Sequence, residues 1–293
     1  MTPDLLKRLQ GCVLGFAVGD ALGAPVAFES PAAIRSRHGH LSEMKGGGRM
    51  GLPPGSTTAA TSLFRAVAES LVARASLDPE DLCRRLRGVA VARPPGLAPG
   101  LAERLLALGT GVTSGGRDED NACLILALPL AAAYRDRPDE MLRAVAALLG
   151  LTHPHPRCRA GAAVVARLAG RAMTGAWGGL RDELPALARS LDPEGARRVA
   201  EAPGRREQDL RSTSHVLDTV EVLLWSLARS RSFGEALVRS LNLGGDATVT
   251  CGLAGALAGS RWGKDAIPRK WLGPLQEAGD LAELGRRLGE AAA

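Results

Sequence analysis

Glycine recurs at every fourth position near the start of the chain, at Gly11, Gly15, Gly19 and Gly23. Residues four apart lie on one face of an α-helix, so these glycines form a face without side chains. Residues 252–259, which read "GLAGALAG", have the same small-residue character. Backbones can approach closely only where side chains are this small. The sequence therefore predicts two glycine-faced helices in the middle of the fold.

The rest of the chain shows helical periodicity. Apolar residues between positions 64 and 72, and again between 220 and 227, recur at the three- and four-residue spacing of a buried helix face. Ala, Leu and Arg dominate, and no alternating β-branched run is long enough for a sheet. We therefore expect an all-α fold rather than an α/β fold.

The chain of 293 residues, 45% of them hydrophobic, can bury a sizeable core. Segments rich in Gly, Pro, Ser or charge predict loops at residues 46–55, 93–100, 109–120 and 201–214. None of these segments marks a domain boundary, and no repeat of roughly 20 to 50 residues is present. We expect one compact domain over residues 1–293.

Composition argues against several classes of function. The net charge is +6, but the Arg residues are spread along the chain and only 3% of residues are aromatic, so nucleic-acid binding is not expected. The five cysteines lack paired metal spacing, which is typical of reduced core thiols. No basic region followed by an apolar run opens the chain, and no eighteen consecutive residues are apolar. We expect a cytoplasmic protein without a membrane span.

Six segments resemble one known family. They read "GCVLGFAVGDALGAPVAFE", "GSTTAATSLFRAVAESL", "LTHPHPRCRAGAAVVA", "VLDTVEVLLWSL", "SFGEALVRSLNLGGDATVTCGLAGALAG" and "IPRKWL". Together they look like the ADP-ribosylglycohydrolase family, in order, over residues 10–272. The resemblance implies a compact all-α fold with a central cleft, in which two magnesium ions sit side by side and ADP-ribose lies across them.

The chain departs from this family at the metal positions. Where the family usually reads Thr-Asp-Asp, residues 58–60 read "TAA", and where it reads Asp-Thr-Asp-Thr, residues 246–249 read "DATV". Three carboxylates and one ligand Thr are therefore missing. The residual family positions are Thr58, Asp246 and Thr248, and the positions without a ligand oxygen in the side chain are Ala59, Ala60 and Val249.

Other contact positions of the family have also changed. The family's Glu after Gly-Asp-Ala-Leu-Gly falls at Ala27. In its Asn-Gly-X-X-Met-Arg block, Asn121 is kept and Leu126 replaces the Arg.

The losses bear directly on metal binding. Two divalent cations about 4 Å apart repel each other by roughly 16 kcal/mol at an effective dielectric constant near 20. Carboxylates must offset this repulsion, and magnesium needs hard oxygen ligands that Ala cannot supply. We therefore expect no metal pair and no cofactor, with magnesium only if the centre is partly retained. Whether the loop at residues 115–121 supplies a substitute carboxylate stays open.

Each candidate site residue also has a purely structural interpretation. Asp246 fits either an N-cap or a ligand, Thr58 fits an N-cap, and Asp20 fits a structural anchor that must be hydrogen-bonded because it is buried. The "THPHP" segment favours packing or substrate contact over zinc binding at His153. The acidic run at residues 118–120 fits a solvated loop. The catalytic residues stay unassigned, with Asp246, Asp20 and His153 as candidates.

Three function classes remain open at this point. The first, which we favour, is a non-hydrolysing member that binds ADP-ribose or another nucleotide or phosphate through Asn121, His153, Gly244, Gly245 and Asp246. The double glycine would let backbone N–H groups approach a phosphate. The second is an ADP-ribosyl or related N-glycosyl hydrolase that uses one metal or none. The third is a structural partner of another protein with no small ligand.

Overall fold

The computed structural model describes residues 1–110 and 118–291, and over these residues it contains fifteen α-helices and no β-strand. The α-helices are α1 (Pro3–Gly23), α2 (Pro31–His38), α3 (Ala59–Arg74), α4 (Pro79–Ala92), α5 (Pro99–Leu106), α6 (Ala122–Ala133), α7 (Pro138–Thr152), α8 (Pro156–Met173), α9 (Leu180–Ala188), α10 (Pro193–Glu201), α11 (Val216–Ala228), α12 (Phe233–Leu241), α13 (Ala247–Trp262), α14 (Arg269–Leu272) and α15 (Ala278–Glu290). Short 3-10 helices are Ala24–Val26, Ala202–Gly204, Glu207–Asp209 and Lys264–Ala266. The all-α expectation is confirmed.

Helices α1 and α13 run antiparallel with their backbones in direct contact. A Cβ atom built on Gly11 would lie 2.3 Å from the carbonyl oxygen of Gly259, and one on Gly23 would lie 2.3 Å from that of Ala247. The two glycines between them meet α13 in the same way, at 2.2 and 2.0 Å. No side chain larger than hydrogen fits at these contacts. The glycine-faced helices expected from the sequence are therefore one continuous interface.

The sequence fixes the ends of both helices. Thr2 precedes α1, and its hydroxyl oxygen accepts a hydrogen bond from the Leu5 N–H at 3.3 Å. Pro3 occupies the first turn, where a missing N–H costs nothing. Helix α13 ends at Gly263, whose φ of 77° lies in the left-handed region that favours glycine. These signals place the four glycines of α1 opposite the small residues of α13.

Helix α1 is buried on every side from Leu9 onward. Over Pro3–Val26 it is long and apolar enough, by length and composition alone, to cross a membrane. The apolar window of this segment is entirely buried inside the protein, as in the core helix of a globular fold. Helices α3, α6, α8, α12 and α15 pack around the α1–α13 pair and share its hydrophobic core. All five cysteines are buried free thiols.

The α1–α13 contact yields a direct test. We expect Gly15→Ala to destabilise the protein by about 3 kcal/mol, because its methyl group would meet the Gly255 carbonyl in a contact where neither backbone can yield. The matched control is Gly88→Ala in the exposed interior of α4, where a Cβ atom meets open space. That change should leave stability equal or raise it by up to about 1 kcal/mol. Equal unfolding free energies for the two variants in urea titrations would contradict the interface.

Candidate functional site

A cavity of about 480 Å³ lies where three helices begin. Thr58, Asn121 and Asp246 are the residues that immediately precede α3, α6 and α13, and all three line it. Thr248, in the first turn of α13, lines it as well. The structure thus brings Thr58, Asp246 and Thr248, the residual family positions named above, to one cavity.

Most of the cavity wall is apolar. The apolar lining side chains come from α3, α5, α6 and α13 and from the loops before α2, α3 and α5, and they include Ala27, Phe28, Met50, Ala59, Ala60, Leu63, Leu97, Pro99, Leu101, Ile125 and Val249. The charged lining residues among those described are Arg49, Asp120 and Asp246. The cavity therefore offers a large apolar surface and few polar groups.

Asp20 anchors the start of α3 from below the cavity. Its carboxylate accepts hydrogen bonds from the backbone N–H and hydroxyl of Thr58, at 2.8 and 2.7 Å, and from those of Thr61, at 3.2 and 2.6 Å. The side chain is fully buried and does not line the cavity. Burial raises the pKa of Asp20, and the four hydrogen bonds oppose that rise. Asp20 therefore has the structural role expected for it and lies away from the cavity surface.

Thr58 caps α3, because its hydroxyl oxygen accepts a hydrogen bond from the Ala60 N–H at 3.2 Å. Asp246 stands at the corresponding position of α13, but its side chain accepts no hydrogen bond from a backbone N–H of the first turn of that helix. The capping interpretation therefore holds for Thr58 and fails for Asp246. The Asp246 carboxylate is left available to the cavity.

The surroundings of Asp246 hold its carboxylate in place. Asn121 Nδ2 donates to Asp246 Oδ2 at 3.1 Å, and the Thr248 hydroxyl donates to Oδ1 at 3.4 Å. Asn121 also donates to the Thr219 hydroxyl at 3.0 Å, which fixes the orientation of the amide. Burial raises the pKa of Asp246, and hydrogen bonds from Asn121 and Ser214 oppose that rise. Asp246 is therefore an oriented, buried carboxylate that takes up a proton more readily than an exposed one.

The acidic run before α6 is ion-paired, and Asp118 within it is also solvated, with its side chain 74% exposed beside Arg104. Asp120 Oδ2 accepts from Arg104 at 2.9 Å, and its Oδ1 accepts from the Ala122 N–H at 2.8 Å. Glu119 lies 2.8 Å from His215 Nε2 and 3.3 Å from Arg157. Of the predicted loop at residues 115–121, residues 115–117 lie outside the described residues. In the described part, Asp120 brings a carboxylate to the cavity, and Arg104 already neutralises it.

His153 lies in the protein interior and does not line the cavity. The residue is 1% exposed, and neither ring nitrogen has a hydrogen-bond partner among the described residues. Burial lowers the pKa of His153 to about 4, with a further contribution from Arg104. The ring is therefore neutral at pH 7. Its position does not support the ligand contact or the catalytic role considered for it from the sequence.

The double glycine does not present free backbone donors. The Gly245 N–H donates to the Glu29 carbonyl at 2.8 Å, and the Asp246 N–H donates to the Ser212 carbonyl at 3.0 Å. The Gly244 N–H donates within its own turn. Both glycines have positive φ, and a Cβ atom on Gly245 would lie 1.4 Å from the Ser212 oxygen. The glycines serve close backbone packing, so the phosphate contact expected from the sequence lacks its donors.

Comparison with known proteins agrees with this geometry. The family model for ADP-ribosylglycohydrolase matches residues 1–293. The chain belongs to the ADP-ribosylglycohydrolase family. It is 30% identical over 282 residues to the ADP-ribosyl-[dinitrogen reductase] glycohydrolase of Rhodospirillum rubrum, covering 93% of this chain and 92% of that protein.

Two further comparisons cover nearly the whole chain. It is 25% identical over 301 residues to the ADP-ribosylarginine hydrolase Tri1 of Serratia proteamaculans, covering 97% of this chain and 80% of that protein. A solved structure described as an ADP-ribosylglycohydrolase-related protein complex superposes with a TM-score of 0.86 at 29% identity, covering 100% of both chains. The resemblance inferred from the sequence segments is confirmed.

The described lining of the cavity offers few ligand atoms for a pair of magnesium ions. Ala59, Ala60 and Val249 line it without a side-chain oxygen. Among the described residues, no three His, Cys, Asp or Glu side chains are grouped so as to hold a metal ion. The nearby Glu29 carboxylate pairs with Arg37 instead. Asp246, the one lining carboxylate without a cationic partner in the described part of the chain, cannot balance two divalent cations.

Several lining residues are not among the candidates from the sequence. They are Phe28, Arg49, Asp120 and Ser214, together with the loop before α5. Arg49 and the α5 loop fall in segments predicted only as loops, which commonly carry binding residues. Phe28 lies next to the changed family position at Ala27, and this proximity is the one sequence signal that could have pointed to it.

The pKa of Asp246 leads to a prediction about stability. Because burial raises this pKa in the folded protein, the folded state holds the proton more tightly than the unfolded chain does. Stability should therefore fall as pH rises from about 4 through the folded-state pKa. Asp246→Asn removes this loss and should stabilise the protein at pH 7 by about 1 kcal/mol.

Urea unfolding of both forms between pH 4 and pH 7 measures this difference. The unfolding free energy of the variant, relative to that of the natural protein, should increase with pH and then level off. The titration of Asp20 changes the unfolding free energy of both proteins equally, so it cancels in the difference between them. An Asp246→Asn variant that is less stable than the natural protein at pH 7 would show that the charged carboxylate is favourable where it lies.

Proposed function

We propose that this chain is a non-hydrolysing member of the ADP-ribosylglycohydrolase family that binds ADP-ribose or a related nucleotide in the cavity without a metal pair. One observation carries the proposal. The side chains at the lost metal positions, Ala59, Ala60 and Val249, form part of the wall of an open cavity of about 480 Å³. The cavity is therefore retained while its metal chemistry is not. The five free thiols suit a cytoplasmic location.

Helix ends support an anionic ligand. Helices α3, α6 and α13 all begin at the cavity, and the N-terminus of a helix carries a partial positive charge. In a family member with metal ligands, extra carboxylates would offset these partial charges. With alanine and valine in those places, the carboxylates left beside the three helix starts are those of Asp20, Asp120 and Asp246, fewer than in such a family member. A phosphate group is attracted to such a position even without bound cations.

A second candidate function rests on Asp246. A buried carboxylate with a raised pKa, held by Asn121, fits a general acid or base. The relatives from R. rubrum and S. proteamaculans are named as hydrolases of ADP-ribosylated dinitrogen reductase and ADP-ribosylarginine. An enzyme that uses Asp246 with one metal or none would cleave the same kind of glycosidic bond. We favour the non-hydrolysing function because activation of water by two metals has no ligand set here.

Calorimetry with ADP-ribose tests the proposal. We expect heat of binding of similar size with and without magnesium, because no metal mediates the contact. Binding should weaken as salt rises, because the attraction to phosphate is electrostatic. ADP-ribosylarginine should be recovered intact after long incubation with the protein. Magnesium-dependent release of ADP-ribose would favour the enzyme, and an absence of binding heat would favour the structural partner.

Restoring carboxylates tests the assignment of the lost positions. The combined change Ala59→Asp, Ala60→Asp and Thr248→Asp should produce a protein that magnesium stabilises, by about 2.7 kcal/mol at one hundred times the dissociation constant. Without magnesium the cavity of this variant should repel ADP-ribose. The matched control carries Asn at the same three positions, with the same size but no charge. If the Asp variant gains no more magnesium-dependent rise in melting temperature than the Asn control, these are not the lost ligand positions.

A further inference from the structure

Phe28 is an unusual residue at the mouth of the cavity. Its side chain lines the cavity, and the residue is 62% exposed to solvent. Its φ is 66°, in the left-handed region that bulky residues rarely occupy. Neither core packing nor local backbone preference explains a large apolar ring in this place. An observed outlier of this kind at a binding surface justifies a functional hypothesis.

The double glycine holds Phe28 in this conformation. The Phe28 N–H donates to the Gly245 carbonyl at 2.6 Å, and the Gly245 N–H donates to the Glu29 carbonyl at 2.8 Å. Gly244 packs against the same backbone segment, since a Cβ atom on Gly244 would lie 2.2 Å from the Glu29 carbonyl oxygen. These reciprocal bonds fix the backbone on both sides of Phe28. The ring is therefore presented by a rigid support, although it makes no core contact.

Arg49 comes from a loop packed against the turn that leads to Phe28. A Cβ atom on Gly48 would lie 2.3 Å from the Pro25 carbonyl oxygen, so the two loops are in backbone contact. Arg49 lines the cavity, its residue is exposed, and it has no ion-pair partner among the residues that the structure describes. The cavity mouth thus combines the exposed ring of Phe28 with the Arg49 guanidinium, which is not ion-paired within the described part of the chain. Asp246 and Asn121 supply hydrogen-bonding groups elsewhere on the wall.

We propose that Phe28 and Arg49 form a subsite in which Phe28 stacks on the planar ring of a nucleotide while Arg49 binds its phosphate. The subsite rests on the proposed function of the cavity and specifies its ligand as one that carries both a ring and a phosphate. Aromatic side chains stack on nucleobases through the face of the ring, and guanidinium groups pair with phosphate oxygens. The double glycine acts through Phe28 and makes no contact with phosphate itself.

Three probes separate the two contributions in calorimetry on the natural protein and its variants. They are ADP-ribose, adenosine, which lacks phosphate, and ribose 5-phosphate, which lacks the base. Phe28→Asn should weaken ADP-ribose and adenosine about tenfold and leave ribose 5-phosphate unchanged. Arg49→Ala should weaken ADP-ribose and ribose 5-phosphate and leave adenosine unchanged. Phe28→Trp should retain binding, and Arg143→Ala on the exposed face of α7 is the control for lost positive charge.

Thermal unfolding distinguishes binding from a structural role. Asn tolerates the left-handed region better than Phe, so Phe28→Asn should keep or raise the melting temperature while binding falls. A lower melting temperature with unchanged binding would overturn the subsite. If the natural protein binds ADP-ribose and Phe28→Asn binds it equally well, the subsite is wrong and the proposed function stands. If the natural protein binds none of the probes, the proposed function fails and the subsite fails with it.

Discussion

The backbone contact between α1 and α13 positions two of the three helix starts at the cavity. Gly19 meets Cys251 and Gly23 meets Ala247, so the end of α1 is fixed beside the start of α13. Asp20 follows Gly19 directly, and its four hydrogen bonds carry this alignment on to the start of α3. Two helix starts are thereby positioned by one glycine face. A side chain on that face would displace the cavity as well as loosen the core.

Polar groups that support the fold are separate from the alanines that line the cavity at the start of α3. Asp20 and the Thr58 hydroxyl satisfy backbone donors at the start of α3, and Asn121 bridges Asp246 and Thr219. Each of these buried groups would be costly to leave unpaired. Ala59 and Ala60, by contrast, stand where side chains face open space in the cavity. No carboxylate is needed there to satisfy a buried donor, so alanine at these positions is compatible with the fold.

The parts of this structure that depend on local pattern could be predicted from the sequence, and the parts that depend on distant partners could not. Glycine spacing and helical periods predict the α1–α13 pair and the all-α fold, because both are properties of single helices. The partner of Glu119 is His215, almost a hundred positions away in the chain, so no local pattern reveals it. The double glycine gave a misleading signal for the same reason. The two glycines allow close packing against the backbone of Glu29 and Ser212, which only the folded chain brings near.

Charge and shape in the cavity have changed together. A family cavity with a full set of carboxylates depends on bound cations, because several like charges in a partly buried space repel one another. With alanine and threonine in three of those places, the binding that we propose needs no cation, and the apolar lining suits a ligand with a large planar surface. Asp246 stays charged only at a cost from burial, which Asn121 and Ser214 partly offset. The ligand contact that we propose would give this carboxylate a use that stability does not, since asparagine could occupy the same position without the charge.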